Sequence, residues 1–217
     1  MRVVDLTQTI HADMPVYPGT EKPKLEIANT LEEHGFIETL LTMYSHTGTH
    51  MDTPGHLLAN RKMLDELPVS YFAGKALVIN ASDLKAGQRI TMDYINKVKD
   101  KADQAEMLLF RTDWDKKWDQ EEEYFGDYPY IDDEVAQYVI DSKKKLVGFD
   151  VIGIDPMYDE ELKIHKKLFN AMDIVIVENL TKLYQCGDDL FLLCALPMKY
   201  KNSDGAPIRA VGILDVI

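Results

Sequence analysis

The feature of this sequence that most constrains its fold is a run of alternating residues, His46, Gly48, His50 and Asp52. In an extended strand, residues two apart project from the same face of the backbone. This spacing therefore predicts a strand from which two imidazoles and one carboxylate converge. His56 follows, which brings three of the six histidines of the chain into eleven residues. Such a concentration predicts a metal site rather than scattered surface histidines.

The donor atoms of this segment limit which metal it can bind. Imidazole nitrogens and a carboxylate favour zinc, manganese or ferrous iron over calcium or cuprous copper, and we expect zinc, with manganese as the alternative. Gly48 would let the metal approach the strand closely. Three protein ligands leave one position for water, whose pKa the metal lowers, so hydrolysis by the resulting hydroxide is the expected chemistry. His56, beyond the Pro54-Gly55 turn, is the candidate for proton transfer.

Two residues outside the cluster are further candidates for the site. His165 lies in a predicted helix over 160–171 and faces the same side as its apolar residues. Glu178 ends a predicted strand over 173–178, and ligands in open α/β sheets gather beyond the carboxyl ends of strands. Each also has an ordinary interpretation, because inward histidines are commonly hydrogen-bonded core residues and glutamates at strand ends are commonly exposed.

Apolar strand patterns alternate with helical patterns along the rest of the chain. Further strands are predicted over 36–45, 75–80, 106–111, 145–151, 190–196 and 207–214, and further helices over 91–101 and 131–143. The strand over 36–45 is expected to lead directly into the histidine cluster, and a turn at Asp204-Gly205 to separate the last two strands. The acidic stretch 113–134 is expected to be a solvated loop. The pattern predicts a mixed α/β fold, with residues 1–217 forming a single domain.

The composition limits the kinds of molecule that this protein is expected to bind. The net charge of −13 disfavours binding to nucleic acid and to anionic membranes. The sequence contains no signal-peptide pattern and no apolar run of the ~20 residues that span a bilayer. We therefore expect a cytoplasmic protein with a small-molecule substrate. The sequence also has no Walker or dinucleotide-binding motif, so we expect no nucleotide cofactor. Cys186 and Cys194 are not spaced as a zinc-binding pair.

The segment from His46 to His56 resembles the signature of the cyclase family, H-x-G-T-H-x-D-x-P-x-H, at all seven specified positions. This family includes bacterial kynurenine formamidases, isatin hydrolases and proteins named as polyketide cyclases. Other parts of the chain are similar to family segments as well, namely 5–10, 14–19, 111–114, 148–155 and 204–209. The resemblance thus extends along most of the chain.

The resemblance implies a swivelling β/β/α domain, commonly a homodimer, that binds one or two divalent ions. His46, His50 and Asp52 would bind the first ion. Asp52 would bridge to a second ion held by His165 and Glu178. In addition, His56 would be the proton-transfer residue and Tyr17 would line the substrate pocket.

The implied activity is hydrolysis of an amide bond, with N-formylkynurenine, an intermediate of tryptophan catabolism, as the expected substrate. Two other enzyme classes stay open: an isatin-type cyclic amide hydrolase with one metal, and a polyketide cyclase or dehydratase-like lyase. A non-catalytic metal-binding protein is a further alternative. Close kynurenine formamidases carry Trp at the position of Tyr17, and commonly Asp at Thr20 and Ser at Gly153. These departures concern the substrate side of the site.

Overall fold

A computed structural model describes residues 1–216 of the chain. The strands are β1 (Arg2–Asp5), β2 (Lys24–Asn29), β3 (Glu38–Thr42), β4 (His50–Asp52), β5 (Ala73–Asn80), β6 (Arg89–Ile90), β7 (Met107–Arg111), β8 (Tyr130–Ile131), β9 (Leu146–Phe149), β10 (Val175–Glu178), β11 (Phe191–Pro197) and β12 (Gly205–Leu214). The helices are α1 (Leu31–His34), α2 (Pro54–Leu57), α3 (Met92–Asn96), α4 (Lys99–Gln104), α5 (Glu121–Tyr124), α6 (Asp133–Asp141) and α7 (Lys163–Ala171). Short 3₁₀ helices cover Leu64–Glu66, Val69–Tyr71, Trp114–Lys117 and Leu183–Cys186.

Eight strands form the main sheet in the order β1-β12-β11-β5-β7-β9-β10-β4. The strands β5, β7, β9 and β10 are parallel, and the other pairings are antiparallel. Strand β4 pairs with β10 on one side and with residues 205–207 of β12 on the other. Residues 211–214 of β12 pair with β1. The short strand β4 therefore closes seven strands into a barrel-like ring.

Both faces of the parallel strands are buried, which explains why these strands are continuously apolar. Successive side chains point to opposite faces, so Leu77 and Ile79 pack against the helices while Ala76 and Val78 pack inside the closed sheet. The outer layer consists of α3 and α4 after β5, α6 after β7, and α7 after β9. This layer supplies the helix that carries His165.

The predicted mixed α/β class is confirmed, and most predicted elements are present with ends that differ by one to three residues. The predicted helix over 91–101 is instead two helices, because Val98 (φ −131°, ψ 26°) interrupts the helical backbone between α3 and α4. The predicted turn at Asp204-Gly205 is also misplaced. The connection turns at Lys201 and Asn202, where Asn202 has φ 57°, and Gly205 already belongs to β12.

The strand predicted over 36–45 is wrong in both extent and partner. Strand β3 ends at Thr42 and pairs only with β2 among the described residues, so it forms a separate two-stranded hairpin and not the approach to the histidine cluster. We call residues 24–42 the β2–β3 arm. Most of its side chains are exposed, including the apolar Ile27 (74%), Ile37 (67%) and Leu40 (55%).

The acidic stretch 113–134 is only partly the solvated loop that its charge predicts. Its glutamates at 121–123 are exposed, but Trp114, Trp118, Tyr124 and Tyr128 are buried. Aromatic residues between the acidic ones fix the segment to the core. No helix within residues 1–216 combines the length and apolar character that crossing a bilayer requires.

Candidate active site

The histidine cluster does not lie on one continuous strand, which corrects the prediction for residues 46–52. Only His50–Asp52 is extended, whereas Gly48 has φ 67° and His46 lies in a turn. Side chains still converge because the chain bends at Gly48 and brings His46 back over β4. A Cβ atom on Gly48 would lie 3.1 Å from Ile10 Cγ1. The positive φ and this packing each account for a glycine at position 48.

A first cluster forms around one oxygen of Asp52. Its Oδ1 lies 2.6 Å from His46 Nδ1 and 3.4 Å from His50 Nε2. His50 and Asp52 are each 3% exposed. One ligand atom from each of the three residues lies within 4.8 Å of the other two, as the binding of a single cation requires.

A second cluster forms around the other oxygen of Asp52. Its Oδ2 lies 3.6 Å from His165 Nε2, and the same nitrogen lies 3.3 Å from Glu178 Oε1. Glu178 Oε2 is 3.4 Å from His50 Nε2, so the clusters adjoin. The structure thus brings together all five residues predicted as metal ligands, and Asp52 is their common member.

In each imidazole of these clusters, the ring nitrogen that points away from the cluster has a hydrogen-bonding partner. His50 Nδ1 pairs with the carbonyl of Gly48 at 2.9 Å, and His165 Nδ1 pairs with Asp155 Oδ2 at 2.6 Å. His46 Nε2 lies 3.0 Å from Asp204 Oδ2. Histidines that ligate metals commonly donate their second ring N–H to a carboxylate or carbonyl, which fixes the ring. One nitrogen of every ring is therefore free to face a cation.

Asp155 and Asp204 were not among the residues predicted for the site. Asp155 accepts hydrogen bonds from the backbone N–H groups of Ile164 (2.6 Å) and His165 (3.1 Å), so it also fixes the first turn of α7. The one sequence feature that could have identified these two aspartates is their location, because both lie in segments that resemble the family. A lone aspartate in a loop has no periodicity that identifies its partner.

The charges within the two clusters suit a bound cation. Burial disfavours charge on His46, but Asp52 and Asp204 raise the pKa of this imidazole to about 9. Burial likewise opposes charge on His165, yet hydrogen bonds to Asp155 and Asp52 raise its pKa well above the usual value. Protons on the imidazoles thus balance the carboxylates, and a metal cation would take the place of those protons.

Glu178 gives a second observation in favour of a cation. Burial and the charge of Asp52 raise its pKa. Among the side chains of residues 1–216, its Oε1 is one of two buried polar atoms without a hydrogen-bond partner. Leaving such an atom unpaired costs about 1–3 kcal/mol, and more when it is charged. A cation between Glu178 and His165 would satisfy it, so these residues fit a divalent metal with nitrogen and oxygen ligands.

His56 stands at the mouth of the first cluster. Pro54 begins the one-turn helix α2 at its first position, and this helix directs His56 back over the site. The ring centroid of His56 lies 4.1 Å from that of His46, and its Nδ1 lies 3.6 Å from Asp204 Oδ2. Burial lowers the pKa of His56, which favours the neutral imidazole.

A cavity of about 310 Å³ opens above both clusters, and most of its wall is apolar. Tyr17, predicted to line the pocket, does so at the rim, where it is 52% exposed. The predictions did not include Tyr128, which comes from the acidic stretch. Its hydroxyl donates to the carbonyl of Asp155 at 2.7 Å and lies 2.8 Å from the point where a Cβ on Gly153 would lie. Tyr128 thus fills the space beside this glycine.

Comparison with known proteins decides the family. The model of the family described as "Putative cyclase" matches residues 4–156. Kynurenine formamidase of Bacillus thuringiensis (strain Al Hakam) is 32% identical over 210 residues, which cover 96% of this chain and 95% of that protein. The chain belongs to the cyclase family.

Solved structures of similar fold agree with this assignment. Isatin hydrolase A from Labrenzia aggregata has a TM-score of 0.86 at 24% identity, with 97% of this chain and 93% of that one covered. A potential metal-dependent hydrolase with cyclase activity has a TM-score of 0.78 at 27% identity, with 97% and 96% covered. The predicted cyclase-family fold and the prediction of an amidohydrolase that depends on a divalent metal are confirmed. The roles of the individual site residues stay predictions.

Proposed function

We propose that this cyclase-family chain hydrolyses N-formylkynurenine, an aryl formamide, to formate and the aryl amine. The observation that carries the proposal is the position of Asp52, whose two oxygens face separate histidine and carboxylate clusters at the floor of an apolar cavity. Similarity to the kynurenine formamidase of B. thuringiensis over nearly the full length of both chains supports this substrate.

The donor set supports zinc, with manganese as the alternative. His46, His50 and Asp52 would hold one ion, and Asp52, His165 and Glu178 a second. When bound, the metal supplies a Lewis acid for the formyl oxygen and lowers the pKa of water to near neutrality. Glu178 is in direct contact with His165, which supports two ions over the single ion of the isatin-type alternative.

His56 is the residue proposed to move protons. Its Nδ1 faces Asp204, which leaves Nε2 for the reacting groups. At Nε2 it accepts the proton released as water adds to the formyl carbon, and delivers it to the aryl nitrogen as the C–N bond breaks. Such transfer by a positioned imidazole contributes about 10²–10⁴-fold to a rate.

The cavity suits a flat aromatic amide. Its volume, about 310 Å³, is at the lower end of the range for small-molecule sites. Val16, Leu57, Ile152 and Met157 contribute apolar wall that would contact the aryl ring. Tyr17, exposed at the rim, would cover the outer face of the substrate.

We propose a homodimer in which the β2–β3 arm contacts a second copy. A two-stranded hairpin is at best marginally stable alone, and this one exposes a cross-strand pair of leucines, Leu25 (41%) and Leu41 (51%). Exposed apolar patches of this kind are typical of interaction sites. Sedimentation of the wild type and of Leu41→Glu tests this: the wild type should be a dimer and the variant a monomer.

The proposed enzyme would work in the cytoplasm, as expected from the sequence, on a freely diffusing substrate. Its net charge of −13 supports the absence of nucleic-acid partners.

The decisive experiment is formate release from N-formylkynurenine by the purified protein, measured as isolated, after chelation, and after addition of zinc or manganese. We expect turnover above about 1 s⁻¹ that chelation removes and metal restores. Absence of turnover by protein with bound metal would reject this substrate. Turnover of isatin in its place would favour the cyclic amide hydrolase, and a product without oxygen from labelled water would favour a lyase.

A further inference from the structure

Asp204 lies within reach of two different imidazoles of the site. Its Oδ2 is 3.0 Å from His46 Nε2 and 3.6 Å from His56 Nδ1. The two rings lie beside each other, with centroids 4.1 Å apart, and the carboxylate lies at the edge of both. In the proposed function these rings have different tasks, because His46 would bind a metal and His56 would move a proton.

Neighbouring residues hold this carboxylate in place. Ser45 Oγ donates to Asp204 Oδ2 at 3.3 Å, and Tyr200 Oη lies 3.4 Å from Asp204 Oδ1 and donates to the carbonyl of Gly205 at 2.5 Å. The backbone N–H of Thr53 donates to the carbonyl of Asp204 at 3.3 Å. Asp204 is thus fixed from both the side chain and the backbone, directly beside the pairing of Gly205 with Asp52.

We propose that Asp204 is a shared positioning residue that sets the tautomer of both His46 and His56. A hydrogen bond to its carboxylate places the proton of His46 on Nε2. The charge of the same carboxylate, 3.6 Å from His56 Nδ1, favours the proton of His56 on that nitrogen. The opposite nitrogens, His46 Nδ1 and His56 Nε2, then carry free lone pairs. His46 Nδ1 faces Asp52 Oδ1 at 2.6 Å in the first cluster, on the side where a cation would be held.

One carboxylate therefore links the metal site to the proton-transfer residue. A partner that fixes the ring and tautomer of a ligating histidine raises metal affinity, and a catalytic histidine in the wrong tautomer loses its function although its geometry is intact. Removing Asp204 should therefore weaken metal binding and proton transfer together. The second effect rests on the proposed function, whereas the tautomers and metal affinity do not.

The test uses the zinc-loaded protein and three variants, Asp204→Ala, Asp204→Asn and a control, Asp65→Asn. Asp65 Oδ1 accepts the backbone N–H of Ser203 at 3.3 Å, so the control replaces a carboxylate by an amide in a contact of the same loop without touching an imidazole. Side-chain ¹⁵N–¹H correlation spectra report which ring nitrogen of His56 carries the proton. Competition with a chelator reports zinc affinity, and kinetics separate kcat from KM.

In Asp204→Ala we expect His56 to lose its Nδ1–H tautomer, and zinc affinity to fall by about 10–100-fold. We also expect kcat to fall by about 10²-fold or more with little change in KM. Asp204→Asn, whose amide oxygen accepts one hydrogen bond, should be intermediate, and Asp65→Asn should resemble the wild type.

An unchanged His56 tautomer and an unchanged zinc affinity in Asp204→Ala would overturn the proposal. So would equal losses in Asp204→Ala and Asp65→Asn, because the role would then belong to the loop as a whole. If the wild type fails to hydrolyse N-formylkynurenine, the proposed substrate is wrong, while the spectra and zinc affinities still decide the role of Asp204.

Discussion

The ring of His46 lies directly over Gly205, so closely that a Cβ atom there would come within 2.7 Å of His46 Nε2. The backbone at Gly205 is ordinary extended strand, so the glycine is needed for space and not for its dihedral angles. We therefore predict that Gly205→Ala displaces His46 and lowers metal affinity by at least about tenfold. Titration with zinc in the presence of a competing chelator measures this.

Gly212, in the same strand, provides the matched control. A Cβ atom there would lie 3.1 Å from Cys186 Sγ, far from the site. Gly212→Ala should lower the free energy of unfolding by about 1–3 kcal/mol through overpacking and leave zinc affinity unchanged. Equal zinc affinities in the two variants would contradict the steric role of Gly205.

His56→Ala should separate metal binding from catalysis. His56 is not one of the five predicted ligands, and the group that it forms with His46 and Asp204 is proposed to hold and move protons, so metal content per chain should stay at the wild-type value. Turnover should fall by about 10²–10⁴-fold because proton transfer is lost. Elemental analysis and formate release measure the two effects, with His11→Ala, an exposed histidine, as control. Loss of metal in His56→Ala would mean that His56 is itself a ligand.

Substitutions of the two carboxylates should give different metal stoichiometries. Asp52 contributes one oxygen to each cluster, whereas Glu178 is a member of only the second. Asp52→Asn should therefore lose both ions, and Glu178→Gln should keep one. Metal per chain, measured after dialysis against a fixed concentration of free zinc, distinguishes the cases. Two retained ions in Glu178→Gln would remove this residue from the proposed ligands.

Tyr128 and Gly153 should behave as an energetically coupled pair. Gly153→Ala places a methyl group 2.8 Å from the Tyr128 hydroxyl, so we expect a loss of about 1–3 kcal/mol in the free energy of unfolding. Tyr128→Phe removes that hydroxyl and makes room for the methyl group. The double variant should therefore be more stable than the sum of the single changes predicts, by about 0.5–3 kcal/mol.

Chemical denaturation of the four proteins measures this coupling. KM for N-formylkynurenine should rise in Gly153→Ala, because both residues line the cavity, and recover in part in the double variant. Strictly additive free energies would show that the Tyr128 ring does not occupy the space beside Gly153.

The sequence predicted the buried parallel strands well, because both of their faces are apolar. It predicted a strand at His50-Met51-Asp52 but not its place in the sheet, since a strand of three residues carries no pattern that identifies its partners β10 and β12. The alternating spacing correctly brought the side chains of His46, His50 and Asp52 together, for a partly wrong reason. Gly48, with φ 67°, bends the chain, and His46 reaches the site from a turn.

The partners of the imidazoles were beyond the reach of sequence patterns. Asp204 lies 158 positions after His46 along the chain, and only the pairing of β12 with β4 brings them together. Tyr128 was not predicted to be buried, because the strongly acidic stretch around it predicts a solvated loop. Its burial depends on contacts with the core that charge does not report.

The closure of the sheet by β4 has a consequence for the order of events during synthesis. Residues 50–52 emerge early, but their ladder partners at 176–178 and 205–207 emerge late, and chains are made from the N-terminus at about 5–20 residues per second. A nascent chain therefore carries His46, His50 and Asp52 for many seconds without the frame that orients them. Tight binding of a cation would begin only when the barrel closes. Retention of metal would therefore distinguish completely folded molecules from trapped intermediates.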